Sequence, residues 1–125
     1  MAVFGLGMDV CAVSRIDRVL KSELGERFRE RVYTAEEQRT CEGRSDAATA
    51  YAARFAAKEA LVKALGAPPG LRWRDIEVVK TGQGTPHFRL SGVAARVVDE
   101  RGARVLLALT HDAGVAAATV VLEAE

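Results

Sequence analysis

The chain has 125 residues, enough for one domain around one core, and 49% of them are hydrophobic, so a folded globule is expected rather than disorder. Its 18 Lys and Arg nearly cancel 17 Asp and Glu, which removes the bulk positive field that nucleic-acid binding draws on. No apolar run approaches the roughly 20 residues of a membrane helix, and the apolar start is interrupted by Asp9 and has no basic leader, so neither a membrane span nor a signal peptide is expected.

In chain order, residues 3–13 read as a buried opening strand in which Gly5 and Gly7 admit close backbone approach. Ser14 is placed to cap a short helix to about Leu20, and Gly25 breaks the pattern. Between Arg15 and Arg31 the chain carries a mild cationic excess interleaved with acids, the pattern of a solvated surface, while Phe28, Val32 and Tyr33 supply apolar contacts. Thr34 followed by Glu37 is a capping-box signature and predicts another helix start. The longest helix is expected over residues 46–65, with an apolar stripe of small residues that lets it lie close to a sheet. Gly66 stops it, and Pro68 and Pro69 follow.

Residues 73–80 then read as a strand, 82–86 as a turn and 87–90 as the partner strand. Ser91 is placed to cap a helix to about Glu100, stopped by Gly102. Two further strands over 104–110 and 115–122 are joined by a turn from His111 to Gly114. The prediction is a single α+β domain over residues 1–125, with one small, mainly antiparallel sheet packed on one long helix. Cys11 and Cys41 lie far apart and match no zinc or redox spacing, which fits a reduced, cytoplasmic protein.

Four features carry chemistry. Asp9 sits inside a hydrophobic strand, where a carboxylate needs either solvent at the strand end or a neutralising cation. Glu59 and Lys63, four apart on the long helix, share a face, as an ordinary surface pair would. If that helix crosses the first strand, Asp9 and Glu59 converge, and two carboxylates plus substrate phosphates is a usual way to hold magnesium. His111 beside Asp112 reads first as a turn histidine and only then as a catalytic one, and the Gly82-Gln83-Gly84-Thr85-Pro86 segment reads first as a plain hairpin loop. These residues narrow the choice to a metal- or phosphate-handling enzyme or a stable domain with chance charges.

Gly5-Leu6-Gly7-Met8-Asp9-Val10 with Arg15-Ile16 after it resembles the opening motif of the holo-acyl carrier protein synthases. Arg54-Phe55-Ala56-Ala57-Lys58-Glu59-Ala60, with Lys63 beyond it, resembles that family's long-helix motif. Phe28, Arg31, Val32 and Thr34 resemble the segment between, and Gly84-Thr85-Pro86 and Leu109-Thr110-His111-Asp112 its later landmarks. The resemblance covers nearly the whole chain in order, and the long-helix motif is its most specific part.

The resemblance implies a 4′-phosphopantetheinyl transferase-like fold and a homotrimer with active sites between subunits. It implies coenzyme A and an apo acyl carrier protein as substrates, with the holo carrier and adenosine 3′,5′-bisphosphate as products. Asp9 and Glu59 fall where the family binds magnesium, and Lys63 where it meets the diphosphate. Gly66, Gly84, Pro86 and His111 fall along the coenzyme A cleft, and Arg15, Arg27 and Phe28 where the carrier docks. Residues 42–50 depart from the family pattern and leave Arg44 as the candidate for the 3′-phosphate. A carrier of fatty-acid or polyketide synthesis fits equally.

On this reading the carrier serine attacks the phosphorus bearing the pantetheine arm, and Lys63 stabilises the leaving phosphate. The base is open between a metal-bound water, Glu59 acting through water, and His111 oriented by Asp112. The alternatives are another divalent-metal nucleotide hydrolase or phosphoryl-transfer enzyme, and a non-enzymatic nucleotide-binding trimer.

Overall fold

The computed structural model describes residues 2–80 and 84–125, and its elements run β1 (Val3–Ala12), α1 (Val13–Lys21), α2 (Gly25–Val32), α3 (Ala35–Glu42), α4 (Ala47–Leu65), β2 (Ile76–Val79), β3 (His87–Leu90), α5 (Gly92–Glu100), β4 (Ala103–Asp112) and β5 (Val115–Ala124). The class is α+β, as expected, but the strands form two antiparallel sheets rather than one: β1-β5-β4 and the hairpin β2-β3. The turn expected over 82–86 lies partly outside the described residues. Trp73–Asp75 forms a 3-10 turn ahead of β2 instead of opening the strand.

The opening strand is half-buried, not buried. Gly7 and Cys11 face α4, while Phe4, Leu6, Met8 and Val10 point away from it and are exposed, as the two-residue period of a strand requires. Register places Leu6 beside Val121 and Val121 beside Leu106, so the outer face of the larger sheet carries an apolar row across all three strands. Small residues line the inner face, where Ala116 and Ala118 are fully covered by the helix side of the protein.

Helix α4 lies directly on β1. A Cβ added to Gly7 would stand 1.9 Å from the Ala60 carbonyl oxygen, so only glycine permits this approach of strand to helix backbone. The helix ends at Gly66, whose φ of 75° is left-handed. There Gly66 N–H donates to Lys63 O at 3.1 Å and Ala67 N–H to Val62 O at 2.9 Å, which satisfies the last carbonyls.

The capping box at the start of α3 is present in both directions: Glu37 N–H donates to Thr34 Oγ1, and Thr34 N–H to Glu37 Oε1. The same Glu37 carboxylate does more than the pattern announced. It pairs with Lys58 of α4 at 2.7 Å and accepts from Val78 N–H at 2.9 Å, with both charged side chains 0% exposed. Lys58 also donates to the carbonyls of Trp73 and Ile76. Burial favours the neutral lysine and Glu37 opposes it, so this tie of α3, α4 and β2 depends on both partners. Ser14 does not cap α1; the helix begins at Val13 with Ala12 before it and no side-chain cap. Among the described residues no helix is long and apolar enough to cross a membrane.

Candidate active site

Asp9 occupies the inner face in mid-strand, paired in register with Ala118, and its side chain is 15% exposed. The cation that a nearly buried carboxylate requires is supplied by α4. Lys63 Nζ lies 3.0 Å from Asp9 Oδ1 and donates to the Met8 carbonyl oxygen at 3.0 Å. Glu59, one turn earlier on the same face, stands close enough to sense these groups. Burial raises its carboxyl above the ordinary range and the Asp9 charge adds to this, while Lys63 and Arg15 pull it back. Strand and helix therefore bring Asp9, Glu59 and Lys63 together, with the Gly7 contact setting how near they come.

Two carboxylates on facing elements suit a magnesium ion completed by water and phosphate oxygens. No group of three or more His, Cys, Asp or Glu side chains gathers among the described residues, so protein ligands alone do not make a closed metal cage. That donor set fits magnesium, which seldom uses one, and does not fit a structural zinc.

A second feature lies at the N-terminal end of α4. A cavity of about 500 Å³ is lined by Arg44, Arg54, Lys80 and His111, with the hydroxyl-bearing Thr40, Thr49 and Thr110 among its other walls. The first turn of α4 opens on it through Asp46 and Thr49, and Asp46 gives its helix no side-chain cap. Asp46 is held instead by two hydrogen bonds from Arg44, at 2.8 and 3.1 Å, which keep its carboxyl below the ordinary range; the nearby His111 ring favours the charge further. Arg54 is only 8% exposed, and its Nε has no hydrogen-bond partner among the described residues. Its Nη1 donates to the Ala50 carbonyl oxygen. A buried guanidinium with a donor to spare, beside a helix N-terminus, is a seat for an anion.

His111 and Asp112 are successive residues of β4, so their side chains leave opposite faces of the sheet. The expected turn over 111–114 is shorter. Only Ala113 and Gly114 make it, at φ of 50° and 77°, the left-handed pair of a two-residue hairpin. Asp112 consequently does not orient the His111 ring within this chain.

Gly66 lies at the opposite end of α4 from the cavity. Arg54 and Gly66 are 12 residues apart, about 18 Å along the helix. Gly84 and Pro86 sit just before β3, and neither lines the His111 cavity. The four positions expected along one cleft thus do not surround one cavity within a single chain.

Among the residues expected to meet a partner, Arg15 and Arg27 are exposed. Lys21 holds Asp17 at 3.0 Å, and no ion pair ties Arg15 to either Asp17 or Glu59. Phe28 makes the apolar contacts expected of it: it is half-buried against Tyr33 and Phe55, with ring centroids 5.7 and 6.1 Å away. Leu24, 60% exposed, is the apolar side chain that this surface presents. Sequence reasoning missed Leu24, and it also missed Arg54, Thr49 and Lys80 as cavity walls. In the sequence Arg54 stands out only as part of the long-helix motif, and its unused donor depends on how the chain folds around it.

Residues 5–118 match the 4′-phosphopantetheinyl transferase superfamily. The holo-[acyl-carrier-protein] synthase of Myxococcus xanthus is 62% identical over 125 residues, which is 100% of this chain and 98% of that protein. Among solved structures, the holo-[acyl-carrier-protein] synthase of Neisseria meningitidis superposes with a TM-score of 0.84 at 31% identity, covering 98% of this chain and 99% of that one. The Helicobacter pylori enzyme in complex with coenzyme A gives 0.79 at 30% identity, over 94% and 99%. Motifs, fold and relatives agree along the same length, and the chain belongs to the holo-[acyl-carrier-protein] synthases of the 4′-phosphopantetheinyl transferase superfamily.

Proposed function

We propose that this protein transfers the 4′-phosphopantetheine group of coenzyme A to a serine of an apo acyl carrier protein, releasing adenosine 3′,5′-bisphosphate. The observation that carries the proposal is the meeting of Asp9, Glu59 and Lys63 where α4 rests on β1. Bound between Asp9 and Glu59, magnesium would polarise the diphosphate and spread the charge that develops in transfer.

The chain's own groups do the rest. The carrier serine oxygen bonds to the phosphorus bearing the pantetheine arm, and the bond from that phosphorus to the bridging oxygen breaks. The bridging oxygen leaves with the nucleotide, and Lys63, the ammonium beside Asp9, is the group assigned to neutralise it. Glu59, one turn from Lys63 on the same face of α4, is the residue assigned to accept the serine proton through a water. The cationic cavity offers Arg54, Arg44, Lys80 and His111 to the 3′-phosphate and the nucleotide, with the α4 N-terminus behind them.

Two observations support assembly. Gly66, Gly84 and Pro86 do not line the His111 cavity in one chain, which supports a site completed by a neighbouring subunit. The apolar outer face of β1-β5-β4, with Leu6 62% exposed, supplies a surface for self-association, and a homotrimer is the proposed form. The free buried thiols of Cys11 and Cys41 suit a reducing compartment, the cytoplasm. Arg15, Arg27 and Leu24 offer an acidic carrier helix charge and one apolar anchor.

The deciding experiment incubates the protein with coenzyme A, magnesium and a panel of apo carriers, read by intact mass. A phosphopantetheine mass gain on the carrier is expected. Nucleotide turnover without any carrier would instead make the protein a hydrolase.

A further inference from the structure

Lys63 spends two of its three donors on β1, one on the Met8 carbonyl oxygen and one on Asp9 Oδ1, both at 3.0 Å. Its ammonium therefore rests on one of the two carboxylates assigned above to the metal. A divalent cation drawn to Asp9 meets a positive charge already there, and the two repel at contact distance. The pair is also built to part. Lys63 is 53% exposed, on a flexible four-carbon stem, whereas Lys58 on the same helix is 0% exposed and cannot leave Glu37.

We propose that Lys63 is a built-in placeholder cation: it sits on Asp9 until a diphosphate draws the ammonium away, so that divalent metal binds tightly only together with the diphosphate. The inference rests on the reading of Asp9 and Glu59 as metal carboxylates. The lysine fills two successive roles. It first balances a nearly buried carboxylate, then turns toward phosphate oxygens once Asp9 has a metal to face. Each ligand then strengthens the other, and because binding linkage is reciprocal, diphosphate affinity rises with metal to the same degree.

The test measures Mn²⁺ binding by electron paramagnetic resonance, with and without coenzyme A, on wild type, Lys63→Met, Lys63→Gln, Lys63→Arg, Asp9→Asn and Glu59→Gln. Without coenzyme A, Lys63→Met and Lys63→Gln should bind Mn²⁺ about fivefold or more tightly than wild type, while Lys63→Arg, which keeps the charge, should not. Coenzyme A should tighten Mn²⁺ binding in wild type and do so much less in Lys63→Met. If Asp9→Asn and Glu59→Gln weaken Mn²⁺ binding but Lys63→Met and Lys63→Gln bind it no better than wild type, the placeholder is wrong and the metal site stands. Should Asp9→Asn and Glu59→Gln leave Mn²⁺ binding unchanged, the metal reading falls and the placeholder falls with it.

Discussion

Helix α4 holds two carboxylate–lysine pairs only five residues apart, Glu37–Lys58 and Asp9–Lys63, and they behave as opposites. The first is sealed. Its lysine adds two backbone carbonyls to the pair and its carboxylate adds two backbone N–H groups, so every charge-bearing end is committed. The second is open: its lysine is half in solvent and its carboxylate keeps one oxygen uncommitted to Lys63. Chemistry at the pair level is the same, a carboxylate and an ammonium near 3 Å. Enclosure decides whether the pair fastens the fold or can exchange its partner.

The sharpest break between the two is activity. Asp9→Ala and Glu59→Ala should each cut transfer about a hundredfold or more, because either change removes charge and geometry from one shared site. Circular dichroism and melting should show the fold intact. Well-folded variants with substantial activity at saturating magnesium would remove both residues from the mechanism.

The sealed pair should show the reverse. Lys58→Ala or Glu37→Ala should cost about 3–5 kcal/mol, since each leaves a buried charge without its partner. Chemical denaturation gives that loss directly. The double change Lys58→Met with Glu37→Leu should recover a large part of it, and a double variant no more stable than the singles would show that the backbone contacts, not the charges, hold α3 to α4.

Surface charge should matter less and only toward the partner. Arg15→Glu should raise the KM for the carrier and leave coenzyme A affinity near wild type, with the difference shrinking as salt rises, because Debye screening at 0.15 M already acts within about 8 Å. An unchanged carrier KM with a lower Tm would mean that Arg15 serves the fold through its field at Glu59.

The smallest effect concerns Glu59 and pH. Its carboxyl is raised in the folded protein by burial and by Asp9, so the unfolded chain ionises first as pH rises. Stability is therefore lost as pH climbs from the ordinary glutamate range through the folded value, and the cost persists at neutral pH. Glu59→Gln should melt slightly higher than wild type at pH 7, with the gain vanishing below about pH 4, where both states are protonated. Melting curves at the two pH values check the sign.

Local signals in the sequence carried far. The Thr34–Glu37 box, the Gly66 stop and the uninterrupted helix before it are short-range patterns, and each formed where expected. What escaped was contact across the chain. Nothing local in Glu37 announces Lys58, 21 residues on, or the Val78 amide, 41 residues on. Asp9 was legible as an anomaly needing a cation, but that Lys63 itself meets the need depends on how α4 crosses β1. The β4–β5 turn misled because Ala113 stands where Asn or Gly is usual at positive φ, so the strand ends were placed too early and Asp112 was set beside His111. Phe28 supplies the apolar contacts expected of it, but that its ring meets Phe55 of α4 as well as Tyr33 depends on contact across the chain.

The outer face of the larger sheet bears on how this protein endures dilution. Phe4, Leu6, Met8, Val10 and Leu106 stand in solvent on a lone chain, and that exposure contributes nothing to its own stability. On the proposed assembly the same side chains lose their water only when other copies are present, so folding and concentration become linked through mass action. Melting temperature should then climb with protein concentration. Dilution alone would act as a mild denaturant, and a subunit released from its neighbours would carry the exposed apolar face on which aggregates begin.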